Sequence, residues 1–181
     1  VIRAEVVSST RLAGQVKRYH TWPVLHPQSV GEHTWQTMRL YWELYGHVEP
    51  EVCAYLLWHD APELVTGDPP FPTKANNPAL KAIYDEMEDA ALTNMVGAER
   101  ATEILDGVTS LQRLRMKACD LIDMYEFGMH ELAMGNRYGE PIVADTRAAL
   151  LRLAQLLPAS EQSIVEKRVG INYNRTGAVG I

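Results

Sequence analysis

Cysteine is nearly absent from this chain. Its two residues, Cys53 and Cys119, sit in apolar stretches and form no C-x-x-C pattern. A disulfide framework is therefore excluded, and both thiols read as reduced core residues of a cytoplasmic protein. An excess of positive charge is missing too. The formal net charge is -6, which leaves no basic face for a nucleic-acid polymer. A small polyanion remains an acceptable ligand if the basic residues cluster locally. No apolar run has the length of a membrane span and no secretory leader is read, so no membrane partner is expected. The chain opens on Val1 rather than Met, which leaves room for residues upstream. There is no alternating strand pattern, no internal repeat and no low-complexity tract.

What is present is helical periodicity. With 181 residues, 46% hydrophobic and 22% charged, the chain suits one domain with a substantial core. The pattern predicts helices over 3–17, 30–46, 50–64, 78–96, 98–106, 110–135 and 141–157. The expected fold is all-α, a compact bundle of six to seven helices over residues 1–158. Pro50, Pro78 and Pro141 suit first turns, whereas Pro69, Pro70 and Pro72 break the chain after Gly67-Asp68. Trp35, Trp42 and Trp58 are expected in the core. A tail over 159–181 is expected to be loosely attached or an oligomer contact. The triplet Asn174-Arg175-Thr176 fits a glycosylation sequon that has no meaning in a cytoplasmic chain.

The chemistry gathers around a His-Asp doublet, His59-Asp60, at the end of the apolar run Val52-Cys53-Ala54-Tyr55-Leu56-Leu57-Trp58. Ionisable groups are costly in such surroundings unless paired or bound to a metal. His33, in Val30-Gly31-Glu32-His33, and Asp120, in Lys117-Ala118-Cys119-Asp120, complete a set of two imidazoles and two carboxylates. Such a set can close on one divalent cation and leave positions open for water and substrate. The ligand types suit Mn, Fe, Co, Ni or Zn without choosing among them.

Glu63 stands four residues after His59, one helical turn on, and Asp68 follows on the proline-rich loop. Either can exchange a proton with attacking water or with a leaving oxygen. Arg18 suits bidentate phosphate binding. Lys74 and Lys117 are further candidate phosphate contacts. Tyr19 is a candidate to stack on a base or pack on a sugar. His20, His26, His47 and His130 lack matching partners.

These residues resemble the HD-domain phosphohydrolase superfamily, whose pattern H…HD…D is met by His33, His59-Asp60 and Asp120. The resemblance is closest to the bacterial 5'-deoxynucleotidases and the small phage dATP triphosphohydrolases. It is carried by Arg18-Tyr19, by Val30-Gly31-Glu32-His33, by the run His59-Asp60-Ala61-Pro62-Glu63-Leu64-Val65-Thr66-Gly67-Asp68-Pro69, by Lys74, and by Lys117 through Asp120. It spans about residues 10–155. One departure is Tyr19 followed by His20-Thr21, where the bacterial enzymes usually have Trp followed by Pro. The resemblance implies hydrolysis of the 5' phosphoester of a 2'-deoxynucleotide, with Tyr19 against the deoxyribose. The compact length and the Arg18-Tyr19-His20-Thr21 segment favour a phage-like dATP triphosphohydrolase, with an additional Mg²⁺ on the phosphate tail. A 5'-deoxynucleotidase is the alternative, and an idle nucleotide-binding protein the remote one. A homo-oligomer, dimer or hexamer, is expected.

Overall fold

The structure, a computed structural model, describes residues 10–69, 73–74 and 77–170. Eight helices are defined among them: α1 Val30–Tyr45, α2 Pro50–Trp58, α3 Glu63–Thr66, α4 Pro78–Val96, α5 Ala98–Asp106, α6 Ser110–Ala133, α7 Gly139–Ala154 and α8 Ala159–Gly170. The expected all-α architecture is what the chain adopts. The one extended feature among the described residues is an isolated bridge between Lys17 and Ser29.

α1 begins with a capping box. Ser29 accepts from the N–H of Glu32, and the Glu32 carboxylate accepts from the N–H of Ser29, which satisfies two orphan donors of the first turn. It ends at Gly46, whose φ of 82° lies in the left-handed region that glycine enters without strain. Its buried residues Val30, His33, Thr37, Leu40 and Tyr41 form one stripe and carry His33 into the bundle. α6, 24 residues long, is capped by a reciprocal Thr109–Gln112 box. Its buried stripe runs through Met116, Cys119 and Asp123 to Phe127. The main core joins Leu40, Tyr41, Val52, Leu56, Met116, Cys119, Ile122, Leu150 and Val165. α6 and α7 cross at Gly128, where an added Cβ would lie 2.9 Å from Val143 Cγ2 and 3.1 Å from Ile142 Cγ2. The crossing therefore needs the missing side chain.

Several expected boundaries shift, each for a local reason. The first predicted helix, 3–17, is helical over 10–13 in its described part; residues 3–9 lie outside the described residues. Gly14 turns the chain, and its carbonyl accepts the N–H of Gly31 at 3.0 Å, while the N–H of Arg18 donates to Gln28 O at 2.9 Å. Residues 16–30 thus close on themselves as a loop instead of extending the helix. The helix expected to reach Leu64 stops at Trp58 because Pro62 has no N–H for the Trp58 carbonyl. Ala61 donates to that carbonyl instead, at 3.1 Å, and Glu63 to Asp60 O at 3.1 Å. His59 and Asp60 therefore occupy a tightened turn, not a regular helix.

The expected tail is helical over Ala159–Gly170, with Val165 and Val169 buried. Arg115 on α6 clasps Glu161 through two bonds, at 2.6 and 3.1 Å, so this segment is packed rather than loose. Residues 171–181, with the Asn174 sequon, lie outside the described residues, as do Pro70 and Pro72. Trp58 packs on the small cluster of Leu92, Ala101 and Ile104. Trp35 and Trp42 do not reach the core: they are 62% and 60% exposed, because they lie across α1 from its buried stripe. Cys119 is buried, Cys53 is half-buried, and both are free.

Candidate active site

Three of the four expected ligands converge. One ligating atom each from His33, His59 and Asp60 lies within 4.8 Å of the others. His33 Nε2 stands 3.5 Å from Asp60 Oδ2 and 3.2 Å from Asp120 Oδ1, and His59 Nε2 stands 3.2 Å from Asp60 Oδ1. Asp120 thus adjoins the trio through His33, and its other oxygen is bound by Lys117 one turn earlier.

The orientation of each imidazole is set from outside the trio. His33 Nδ1 meets Asp123 Oδ2 at 2.6 Å, and His59 Nδ1 meets Leu56 O at 3.1 Å. In both rings this leaves Nε2 as the atom that faces the carboxylates. His33 Nε2 is buried and has no hydrogen-bond partner. An orphaned imidazole nitrogen ringed by carboxylate oxygens is the donor set a divalent transition metal takes, so the residues fit such an ion.

The charges around it are strongly coupled. Burial works against the Asp60 carboxylate, but His59, His33 and Arg18 hold its pKa below the usual range. Asp120 is held well below it against the same burial cost, by Lys117, His33 and Arg18. Burial and Arg18 oppose a charge on His33, yet Asp120 and Asp123 push its pKa up. Glu63 behaves in the opposite sense. Burial first, then the negative charges of Asp60 and Asp68, push its pKa up to about 9. Its Oε2 is buried without a partner. Asp68 is also raised, by burial, although Arg18 and the N–H of Tyr19 oppose the shift.

Around this centre lies a cavity of about 480 Å³, within the roughly 300–1,000 Å³ usual for small-molecule sites. Arg18, Tyr19, Glu63, Asp68, Lys74 and Lys117, all singled out from the sequence, line it together with His59, Asp60 and Asp120. Arg18 is buried, 3.9 Å from both Asp120 and Asp123, and its Nη1 makes no hydrogen bond. Lys74 is paired with Glu88 on α4 at 2.6 Å. Tyr19 stacks on Phe127, ring centroids 4.2 Å apart and 3° from parallel. Its φ of 57° is left-handed, an uncommon conformation for a bulky residue. The Asp68 carboxylate holds it there by accepting the Tyr19 N–H at 3.2 Å.

Other cavity residues escaped the sequence reading. His20, expected to be bland, lines the cavity, as do Trp22, Lys81, Arg113 and Asp145. Asp123 and Glu131 were not singled out either. Asp123 lies three residues after Asp120, the one spacing that hinted at it. Glu131, fully buried, accepts the N–H groups of Leu25 and His26 at 2.8 and 2.9 Å and so pins the loop that carries Tyr19 and Trp22. The other histidines stay apart: His47 reaches Glu49 at 3.4 Å, His26 reaches Glu32 at 3.8 Å, and the rings of His26 and His130 meet edge-on.

The fold matches that of a solved cyanophage S-2L HD phosphohydrolase, DatZ, bound to dA and one catalytic Zn²⁺ ion. The TM-score is 0.67 at 19% identity, over 90% of this chain and 93% of that one. A conserved hypothetical protein from Pyrococcus furiosus also matches at 0.67, with 18% identity over 92% and 98% of the two chains. The architecture is therefore that of the HD phosphohydrolases. Within that class, the 5'-deoxynucleotidase YfbR-like family matches residues 10–162, and the chain belongs to this family of HD-domain hydrolases.

A 5'-deoxynucleotidase of Pasteurella multocida is 31% identical over 121 residues, covering 62% of this chain and 58% of that protein. One of Vibrio vulnificus is 30% identical over 142 residues, 67% and 73% of the two. A dATP triphosphohydrolase of a Salmonella phage is 35% identical over 92 residues, 44% and 47% of the two. The chain thus spans less than two thirds of the Pasteurella protein. No helix among the described residues is long and apolar enough to cross a membrane.

Proposed function

We propose that the protein hydrolyses the 5' phosphoester of 2'-deoxynucleotides, with the deoxynucleoside 5'-monophosphate as its first substrate. One observation carries the reading: Glu63, a buried and unpartnered acid pushed up to about 9, faces the same cavity as the His59-Asp60 doublet and Arg18. His33, His59, Asp60 and Asp120 are the residues that would hold a divalent ion. When bound, such an ion supplies a Lewis acid for a phosphoryl oxygen and lowers the pKa of water.

The chain's own groups do the rest. The guanidinium of Arg18, which lines the cavity, takes a phosphate oxygen by a charge-assisted hydrogen bond and neutralises charge that grows as the ester breaks. Glu63, whose pKa is raised by burial and by Asp60 and Asp68, is the group placed to pass a proton to the leaving 5'-oxygen. Asp68 holds the backbone of Tyr19 and is the second group able to exchange a proton. Tyr19, immobilised against Phe127, closes on the deoxyribose where a 2'-hydroxyl would otherwise stand.

The sequence alone leans to a triphosphate. Two features support the monophosphate instead. Lys74, Lys81 and Lys117 already hold Glu88, Asp85 and Asp120, so these lysines are spent before a phosphate tail arrives. The Pasteurella and Vibrio relatives are also named as 5'-deoxynucleotidases. The triphosphate is a second reading, favoured by Arg113. It lines the cavity and bonds a backbone carbonyl, that of Leu105, rather than a carboxylate. An additional Mg²⁺ on the tail belongs to that reading.

The test is incubation of metal-loaded protein with the four deoxynucleoside monophosphates, the four triphosphates and their ribose counterparts, with products separated by chromatography. Deoxynucleoside and phosphate released from monophosphates are expected. Intact triphosphate released from dATP alone would replace the first reading by the second. No release from any deoxynucleotide would overturn both.

A further inference from the structure

The cavity has two chemically different ends. Arg18, Lys117, Glu63 and Asp68 crowd the end at the His59-Asp60 turn. The other end follows from the crossing of α6 and α7 at Gly128, about two turns beyond Asp120, which brings Pro141, Ile142, Asp145 and Thr146 of α7 into the lining with Met124 of α6 and Trp22 of the loop. Pro141 and Asp145, and likewise Ile142 and Thr146, are four positions apart, so each pair shares a helix face. Trp22 belongs to the same end, because its indole N–H donates to Tyr138 O, immediately before α7, at 2.8 Å. The ring is thereby fixed in orientation while 40% of its surface stays exposed.

Thr146 turns its hydroxyl back onto Ile142 O at 2.6 Å. Asp145 is then the charged side chain that α7 presents to the cavity, and it has no hydrogen-bond or ion-pair partner among the described residues. Among the described residues, no cation of the cavity pairs with Asp145. Arg18 faces Asp120 and Asp123, Lys117 holds Asp120, Lys74 holds Glu88, Lys81 holds Asp85, and Arg113 holds the Leu105 carbonyl.

We propose that this end is a nucleobase site that selects bases with an exocyclic amino group. The inference rests on the deoxynucleotide reading given above. Arg18 and Lys117 stand at the His59-Asp60 end, whereas Asp145 has no cation beside it among the described residues, so the phosphate belongs with Arg18 and the base with Trp22 and Asp145. The fixed indole offers a flat apolar face on which any base stacks. Asp145 supplies the selection, because an ionised carboxylate only accepts hydrogen bonds. The amino groups of adenine, cytosine and guanine donate to it. Thymine offers only its N3–H there, set between two carbonyl oxygens whose lone pairs oppose those of the carboxylate.

Calorimetric titration of the metal-loaded protein with deoxynucleosides reads this without any turnover. Deoxyadenosine, deoxycytidine and deoxyguanosine are expected to bind at least about fivefold tighter than thymidine, the size of one hydrogen bond to a partly solvated charge. Asp145→Asn, whose amide both donates and accepts, should bring thymidine to within about twofold of the others. Trp22→Ala should weaken all four together, about tenfold. Circular dichroism melts of both variants guard against misfolding. Equal binding of all four deoxynucleosides by the unsubstituted protein would overturn the proposal. So would a preference that survives Asp145→Asn, or no measurable binding of any deoxynucleoside. Base-selective binding without phosphate release from any deoxynucleotide would overturn the hydrolytic reading and leave the base site standing.

Discussion

His33 and Asp123 meet at 2.6 Å, ring Nδ1 against carboxylate Oδ2, with both side chains buried. The contact decides that Nε2 is the nitrogen turned to Asp60 and Asp120. Gln28 braces the same carboxylate oxygen from the side at 3.0 Å. Asp123→Asn keeps the shape but removes the charge that orients the ring. Metal affinity is expected to fall about 10- to 100-fold, the usual effect of losing such an outer partner. Competition with a chelator of known affinity measures it, and an unchanged affinity would count against the assigned ligand set.

Glu63 makes stability depend on pH in the metal-free protein. Its pKa is raised from the ordinary 4.5 to about 9. An acid raised by folding stabilises the fold while it is protonated. The contribution is complete below the unfolded-state value and is lost as pH rises through the folded one. The Tm of chelated protein should therefore fall between about pH 5 and pH 9. Glu63→Gln, which stays neutral, should flatten that slope. Metal loading should also reduce it, since a nearby cation favours the ionised form. A melting series over pH for both proteins decides the point.

Sugar discrimination is expected to pass through Tyr19. Its ring is locked by Phe127 and its backbone by Asp68. Tyr19→Ala should raise kcat/KM for a ribonucleotide relative to its deoxy counterpart by about tenfold, a little over 1 kcal/mol of lost discrimination. Competition between the two sugars in one vessel gives the ratio directly, and an unchanged ratio would move selectivity to another residue.

Glu131 is expected to matter without touching the chemistry. Its carboxylate gathers the N–H groups of Leu25 and His26 and the amide of Asn136. Glu131→Ala strands these donors, at a cost of about 3 kcal/mol in unfolding free energy. Where the variant still folds, KM should rise more than kcat falls, because the pinned segment carries Tyr19 and Trp22, which position substrate. Glu131→Gln, which keeps one accepting oxygen, should recover part of both. Urea unfolding and steady-state kinetics separate the two effects.

The α6–α7 crossing is the place where a single methyl group should be felt most. Gly128→Ala puts a Cβ against Val143 and Ile142 and should cost about 1–3 kcal/mol by overpacking. Since Ile142 also lines the cavity, nucleoside affinity should fall with it. Thermal unfolding and a nucleoside titration on the same sample report the two together.

The helices of the bundle were legible because their signals are local: the helical period of the apolar residues, and Pro50 and Pro78 in first turns, act within a few residues. That His33, His59-Asp60, Asp120, Glu63 and Arg18 gather in one place was legible because such residue types at such spacings suit one metal and one phosphate. What escaped was set by long-range partners. The loop of residues 16–30 depends on Glu131, more than a hundred positions from Leu25. The end of α2 at Trp58 depends on a proline at Pro62 whose effect reaches back to the doublet. The exposure of Trp35 and Trp42 could not be read from hydropathy, which ranks tryptophan as interior wherever it falls. Asp145 gave no signal at all, since a lone acid on a helix resembles any solvated residue until the opposite wall is known.

α6 sets Lys117, Asp120, Met124, Phe127 and Glu131 along one side at alternating steps of three and four. From Lys117 to Glu131 the rise is roughly 21 Å at 1.5 Å per residue. The group that flanks the imidazoles, the ring that backs Tyr19 and the anchor of the loop are thus mounted on a single stiff rod. On the proposed reading, such a rod is a gauge: the separation between ester and base is counted in helical turns and does not drift when the surface loops move. Ligands are then sorted by reach as well as by charge, and a sugar phosphate too short to span the gauge leaves its far end unfilled.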